Sequence, residues 1–221
     1  MRAVKHVETG MVVGLGSGST VVYVIQLLGD LLEKGEIYDV LGVPTSSQSV
    51  QEAVKAKIPL TTLDEHPQVD IGIDGADQID GRLNAIKGGG GAMLREKVVA
   101  ASCKEYIIVA DGNKLTDVLG TGQTIPVEVH PFAVTPVTKT VEKLGSKVAL
   151  RTGSGKLGPV VTDNGNYIID ADFGPVQDPW WLEQQLNAIP GVMATGMFLG
   201  YAQLAYIGTR GTVKRLKPQV P

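Results

Sequence analysis

Short apolar runs alternate with helix-period segments through the first half of the chain. Met11–Leu15 is a valine-rich run suited to a strand buried on both faces. It leads through Gly14-Leu15-Gly16-Ser17-Gly18-Ser19-Thr20 into a stretch where Val21, Val24, Ile25, Leu28, Leu31 and Leu32 share one helical face. Ser19 or Thr20 is expected to cap that helix. Val40–Val43 predicts a second strand, and the polar turn Pro44-Thr45-Ser46-Ser47 opens a helix over Gln48–Lys57. Ile58–Leu63 and Val69–Ile73 predict further strands. After Gly88–Gly91 a helix is expected over Ala92–Cys103, with Leu94, Val98 and Ala101 on its apolar side, followed by a strand at Tyr106–Ala110. Such alternation argues for a largely parallel sheet covered by helices.

The pattern changes near Pro126. Strands are predicted at Pro126–His130, Lys147–Arg151 and Val192–Phe198, with Val160–Thr162 and Tyr167–Ala171 flanking the hairpin signal Asn164-Gly165. Thr135-Pro136 and Asp178-Pro179 each read as a helix start. Arg151–Gly158, which includes Lys156, reads as a glycine-rich loop. Without the short hairpin arm, the order is β-α-β-β-α-β, the ferredoxin-like plan. Ala205-Tyr206-Ile207 predicts a strand that returns to the first region. The expected architecture is therefore α/β. Residues 1–124 plus 198–221 form a Rossmann-like, largely parallel sheet, and 125–197 form an inserted smaller α+β domain suited to oligomerisation.

Composition narrows the function classes. The chain has 221 residues and a formal net charge of −3, with its basic residues scattered. That balance argues against a nucleic-acid partner, which needs a concentrated cationic face. Cys103 is the only cysteine, and the three histidines His6, His66 and His130 match no zinc spacing, so no metal site is expected. Cys103 itself reads as a small core residue on a helix. No apolar run approaches membrane length, and the start lacks a signal-peptide core. A soluble cytoplasmic protein is expected.

The glycine-rich turn at Gly14–Thr20 predicts an anion site, because close backbone approach and a helix start together favour negative charge. It lacks the lysine of a Walker loop and the last glycine of the dinucleotide fingerprint. Ser17, Gly18, Ser19 and Thr20 instead suggest a single phosphate with hydroxyl donors. Asp74-Gly75-Ala76-Asp77 follows a strand directly, and its carboxylates can face one pocket or serve as turn residues. Lys87 before Gly88, Gly89, Gly90 and Gly91 places an ammonium beside exposed amides, an environment suited to an oxyanion. Glu96 lies early in the next helix, where it can be a base or merely complement the helix dipole.

These segments occur in one order with Arg95-Glu96-Lys97, Asn113-Lys114, Pro126-Val127-Glu128-Val129, Val161–Asn166 and Asn187–Val192. Over nearly the whole chain the set closely resembles ribose-5-phosphate isomerase of the A type. The resemblance implies interconversion of ribose 5-phosphate and ribulose 5-phosphate with no cofactor; a homodimer or homotetramer is expected, since the smaller domain's sheet offers a surface to another subunit. It implies that Ser17–Thr20 and Lys114 contact substrate, chiefly around phosphate. It also implies that Asp74, Gly75, Ala76, Asp77, Lys87, Gly88, Gly89 and Gly90 form the active-site loops and that Glu96 is the catalytic base. Asp74 is the candidate for assisting ring opening, and Asp77 for orienting hydroxyls. A sugar-phosphate sensor of the same fold and an amino-sugar phosphate deaminase are the alternatives. The resemblance departs at two points. Only Met1–Val7 precede Glu8-Thr9-Gly10, where relatives carry a longer helix, so Lys5 cannot be equated with a phosphate-assisting lysine of that helix. Gln78 also stands where relatives often have glutamate.

Overall fold

The protein is described by a computed structural model that covers residues 2–155 and 157–218. Met1, Lys156 of the predicted glycine-rich loop, and the last three residues of the predicted 198–221 segment lie outside the described residues. A single 3₁₀ turn at Ala3–His6 precedes β1 (Val12–Leu15), α1 (Ser19–Glu33), β2 (Leu41–Pro44), α2 (Ser47–Lys55) and β3 (Val69–Asp74). The short strands β4 (Gln78–Ile79) and β5 (Ala85–Ile86) come next, then α3 (Met93–Ser102) and β6 (Cys103–Asp111). After these follow β7 (Ile125–Val129), α4 (Val134–Lys143), β8 (Lys147–Leu150), β9 (Tyr167–Asp172), α5 (Pro179–Asn187) and β10 (Val192–Thr195). The chain closes with β11 (Met197–Phe198), β12 (Leu204–Thr209) and β13 (Thr212–Leu216).

The main sheet has the order β13-β12-β6-β3-β1-β2 and is parallel except for β13. Its apolar strands are buried because helices cover them: Val21, Val24, Ile25 and Leu28 of α1 pack onto Val13, Leu15, Ile71, Ile73 and Ile107. Full burial of each such side chain contributes about 1.5–3 kcal/mol. From β1 the chain runs to β2 on one side and β3 on the other, which opens a crevice at their carboxyl ends. A second, antiparallel sheet of order β10-β7-β9-β8 follows the β-α-β-β-α-β plan, and Val127, Val129, Val137, Val141, Ile169 and Leu186 form its core. β4, β5 and β11 make a three-stranded sheet between them.

Several local expectations are corrected. Ile58–Leu63 forms no strand, only the one-residue bridge Gly42↔Leu60. Gly18, not a hydroxyl residue, is the N-cap of α1, with φ 104°, and no side chain caps the helix. α4 begins at Val134 after a 3₁₀ turn, with Ala133 rather than Thr135 at its N-cap. Val192–Phe198 divides at Gly196 into β10 and β11, which belong to different sheets. The buried side of α3 carries Met93, Glu96, Val99 and Ala100, while Val98 and Ala101 face solvent. That face was hidden because one of its members is charged. Cys103 is half-buried at the junction of α3 and β6 and donates to the Val99 carbonyl. Among the described residues, no helix is long and apolar enough to cross a membrane.

Candidate active site

The crevice at the sheet's carboxyl edge is a cavity of about 320 Å³. Three loops supply most of its wall. The first follows β1, where Gly16 must be glycine: a Cβ there would lie 2.2 Å from Asp74 Oδ1 and 2.6 Å from Asp74 Cα. Close approach of the two loops lets the Ser17 N–H donate to Asp74 Oδ1 at 3.1 Å. Ser17 Oγ also meets Thr45 Oγ1 at 2.9 Å and Ser46 Oγ at 2.5 Å, tying the start of α1 to that of α2. Ser46 does cap α2, in a reciprocal capping box with Ser49. Ser17, Gly18, Ser19 and Thr20 therefore line one end of the cavity at an uncapped helix N-terminus, with Lys114 also in the wall.

The second loop is made by the β4–β5 hairpin. Gln78 pairs with Ile86, and the Asp77 N–H donates to the Ile86 carbonyl at 2.8 Å, which sets Asp77 and Lys87 side by side at the open end. Gln78 is buried and holds the next segment through both halves of its amide: Oε1 accepts from Gly120 N–H at 2.7 Å and Nε2 donates to the Thr121 carbonyl at 3.0 Å. A glutamate could supply only the first of these. Beyond Lys87, the Gly89 N–H donates to Asp77 Oδ2 at 2.7 Å. The third wall is the hairpin turn at 160–163, where Asp163 Oδ2 accepts from the Ser47 N–H at 2.7 Å.

Asp74, Lys87 and Glu96 form a buried ionic cluster, each under 5% exposed. Lys87 Nζ donates to the Gly75 carbonyl at 2.7 Å and lies 3.0 Å from Asp74 Oδ1 and 3.3 Å from Glu96 Oε2. Burial pulls the Lys87 pKa down, but Asp74 and Glu96 outweigh it and hold the ammonium above the ordinary lysine value. Glu96 goes the other way. Burial first, and Asp74 second, raise its pKa from 4.5 to about 8, against the lowering effect of Lys87. Its Oε2 is buried without a hydrogen bond, and the residue lines the cavity.

Asp74 is crowded. Besides Lys87 and the Ser17 amide it accepts from the Gly75 N–H at 2.7 Å and from the Tyr106 hydroxyl at 3.0 Å, and it is not among the cavity-lining residues. Asp77, Lys87, Gly75, Ala76, Gly88, Gly89, Gly90 and Glu96 all are. Tyr106 had no sequence signal, because it opens an apolar strand and reads as packing. Phe198 was equally silent; its ring lies 5.4 Å from Lys87 Nζ and 5.2 Å from Lys97 Nζ. Among the described residues, no group of histidine, cysteine and carboxylate side chains could hold a metal ion.

The family model for ribose 5-phosphate isomerase A (phosphoriboisomerase A) matches residues 41–212. The ribose-5-phosphate isomerase A of Trichodesmium erythraeum is 49% identical over 93% of this chain and 87% of its own length. That of Pyrococcus abyssi is 44% identical over 97% and 94%. Among solved structures, a D-ribose-5-phosphate isomerase in complex with phospho-erythronic acid superposes with a TM-score of 0.96 at 44% identity, covering 98% of this chain and 94% of that one. The enzyme of Methanocaldococcus jannaschii gives 0.93 at 43%, covering 98% and 95%. An uncapped helix start beside a buried glutamate and lysine, in a chain this similar to those enzymes over almost its whole length, places the protein in the ribose 5-phosphate isomerase A family.

Proposed function

We propose that this cleft interconverts ribose 5-phosphate and ribulose 5-phosphate, with Glu96 moving the proton between C2 and C1 through an enediolate. One observation carries the assignment of the base: a cavity-lining carboxylate whose pKa is raised to about 8, with an oxygen that no donor occupies. Such a group is a competent proton acceptor near neutral pH and returns the proton as readily. The triosephosphate isomerase pattern, a glutamate base with fixed electrophiles, follows the same logic on another fold.

Ser17, Ser19, Thr20 and Lys114 hold the phosphate at the start of α1, where open amides and the helix end favour an anion. At the other end Lys87 and the glycine-loop amides face the oxygens on which charge develops. Lys87 Nζ donates to the Gly75 carbonyl and lies in ion-pair range of Asp74 and Glu96, so its ammonium keeps protons to offer substrate. Asp74, already held by three donors and the Lys87 ion pair and set behind the cavity wall, acts as a positioning residue through Lys87. Ring opening falls to Asp77, whose Oδ2 takes the Gly89 N–H and whose side chain reaches the cavity.

Purified protein mixed with ribose 5-phosphate and a chelator tests the reading: ribulose 5-phosphate should form, and binding without conversion would sink it in favour of a sensor. Residues 125–197 serve for assembly in this scheme, while 1–124 with 198–221 carry the residues that move the proton and hold the phosphate. Exposed Phe132, Trp180 and Met193 lie in the smaller segment, where a second subunit could cover them. Sedimentation as a monomer at working concentration would remove that role. A cytoplasmic site of action fits a reaction on a soluble sugar phosphate.

A further inference from the structure

Arg151 lies just beyond β8, in the smaller sheet, yet its guanidinium reaches into the catalytic loop. Nη1 donates to the carbonyls of Gly88 at 2.7 Å and Gly89 at 3.1 Å. Nε donates to Asp170 Oδ2 at 2.8 Å, and Nη2 completes a two-point pair with Asp170 Oδ1. The Arg151 backbone is pinned as well: its N–H donates to the Ile168 carbonyl at 2.8 Å, and its carbonyl accepts from the Val160 N–H at 2.8 Å. A side chain this constrained is a fixed post, and its partner is the run of four glycines, where the Gly91 N–H closes a turn onto the same Gly88 carbonyl at 3.0 Å.

Peptide geometry converts that grip into an orientation. All described peptide bonds are trans, so within each unit the C=O and N–H point in opposite directions. With the Gly88 carbonyl held toward Arg151, the Gly89 N–H must point away, and it meets Asp77 Oδ2. With the Gly89 carbonyl held likewise, the Gly90 N–H is turned away from Arg151. Gly90 lines the cavity, a Cβ there would meet nothing within 4 Å, and its N–H has no acceptor among the described residues. A cation on two carbonyls also polarises those peptides and sharpens their N–H groups as donors. Four glycines left to themselves would sample many orientations, at a cost of roughly 1–2 kcal/mol for each residue that must be ordered on binding.

We propose that Arg151 is a positioning residue for the isomerisation: anchored by Asp170, it fixes the Gly88 and Gly89 carbonyls so that the Gly90 amide is already aimed at the enediolate oxygen. The proposal rests on the isomerase reading of the site. It makes the smaller sheet part of the catalytic apparatus, because β8 and β9 supply the post.

Kinetics of Arg151→Ala and Arg151→Lys test it, alongside affinity for phospho-erythronic acid, whose carboxylate is charged as the enediolate is. Arg151→Ala should lower kcat by about 10- to 100-fold with KM for ribose 5-phosphate within about threefold, the size expected when a transition-state donor loses its aim. Affinity for phospho-erythronic acid should fall, and added guanidinium ion should raise the variant's kcat. Arg151→Lys keeps the charge without the fork and should recover only part of the rate. A folded Arg151→Ala whose kcat stays within about twofold of the parent, or whose loss lies wholly in KM, overturns the proposal. If Arg151→Ala does not fold, Arg151→Lys and Asp170→Asn decide, and an unchanged kcat in both overturns it. A parent protein that fails to isomerise at all would instead remove the isomerase reading.

Discussion

Lys87 Nζ stands 3.3 Å from Glu96 Oε2, yet that oxygen receives no formed hydrogen bond. At that distance the ammonium attracts the carboxylate without a formed hydrogen bond. With Glu96 raised to about 8 and Lys87 held above the ordinary lysine value, the pair is set for opposite tasks. The base must be ionised in the free enzyme, so kcat/KM should rise with pH through an apparent pKa near 8, with no falling limb from Lys87 below the lysine range. Glu96→Gln should lower turnover by about 10²–10⁴-fold with binding retained. Stability follows the same group. Its folded pKa lies above the unfolded 4.5, so its contribution is complete below 4.5 and is lost as pH rises through about 8. Melting temperatures measured across that window should fall less steeply for Glu96→Gln than for the parent.

Removing Lys87 leaves two buried carboxylates without their cation. Lys87→Met should cost about 3–5 kcal/mol in denaturant unfolding, the usual penalty for breaking a buried ion pair. Because Lys87 lowers the Glu96 pKa, residual activity should also shift its pH profile toward higher pH. An unchanged profile would mean that the two groups do not sense each other.

The division between the aspartates can be separated by direction of reaction. Ribulose 5-phosphate is acyclic and needs no ring opening to form the enediolate. Asp77→Asn should therefore slow conversion of ribose 5-phosphate more than it slows exchange of the ribulose 5-phosphate C1 hydrogen in D₂O. Asp74→Asn should slow both together, since it loosens Lys87. Equal losses in both assays for Asp77→Asn would return ring opening to Asp74.

Glu128, on β7, is fully buried beneath the 160–163 wall. Its Oε1 accepts from Thr162 Oγ1 at 2.8 Å, Asn164 Nδ2 at 3.0 Å and Asn166 Nδ2 at 2.9 Å. Glu128→Ala strands those donors and should cost about 1–3 kcal/mol in stability. Release of the wall should raise KM more than it lowers kcat, and quicken protease cleavage at the turn. Steady-state kinetics with limited proteolysis would show whether both changes occur.

Most strands and helices were legible because period-2 and period-3.6 patterns survive wherever one face meets a core. The exceptions share a cause. The buried face of α3 includes Glu96, so an apolar template chose Leu94, Val98 and Ala101 instead. Ile58–Leu63 is apolar enough for a strand but pairs at only one residue. At the site, Lys87 and the serine-rich loop stand out because charge or hydroxyls beside glycine have few other uses, whereas Asp77 reads equally as a turn residue and Glu96 as a dipole-complementing carboxylate until the resemblance assigns them. Tyr106 and Arg151 do not, since each becomes informative only when a partner from elsewhere in the chain is placed against it: Asp74 for the first, the Gly88 and Gly89 carbonyls for the second.

The sheet order also bears on how the chain comes to fold. β12 lies between β6 and β13, and Tyr106 and Gln203, which bond across that join, are 97 positions apart. All of β7 to β11 is made before β12 can dock on β6. Until then β6 presents an open, apolar edge, the kind that invites pairing with another chain. Early formation of the antiparallel sheet shortens the effective loop and brings β12 back to that edge, so its folding rate sets how long a nascent chain is exposed to misassembly.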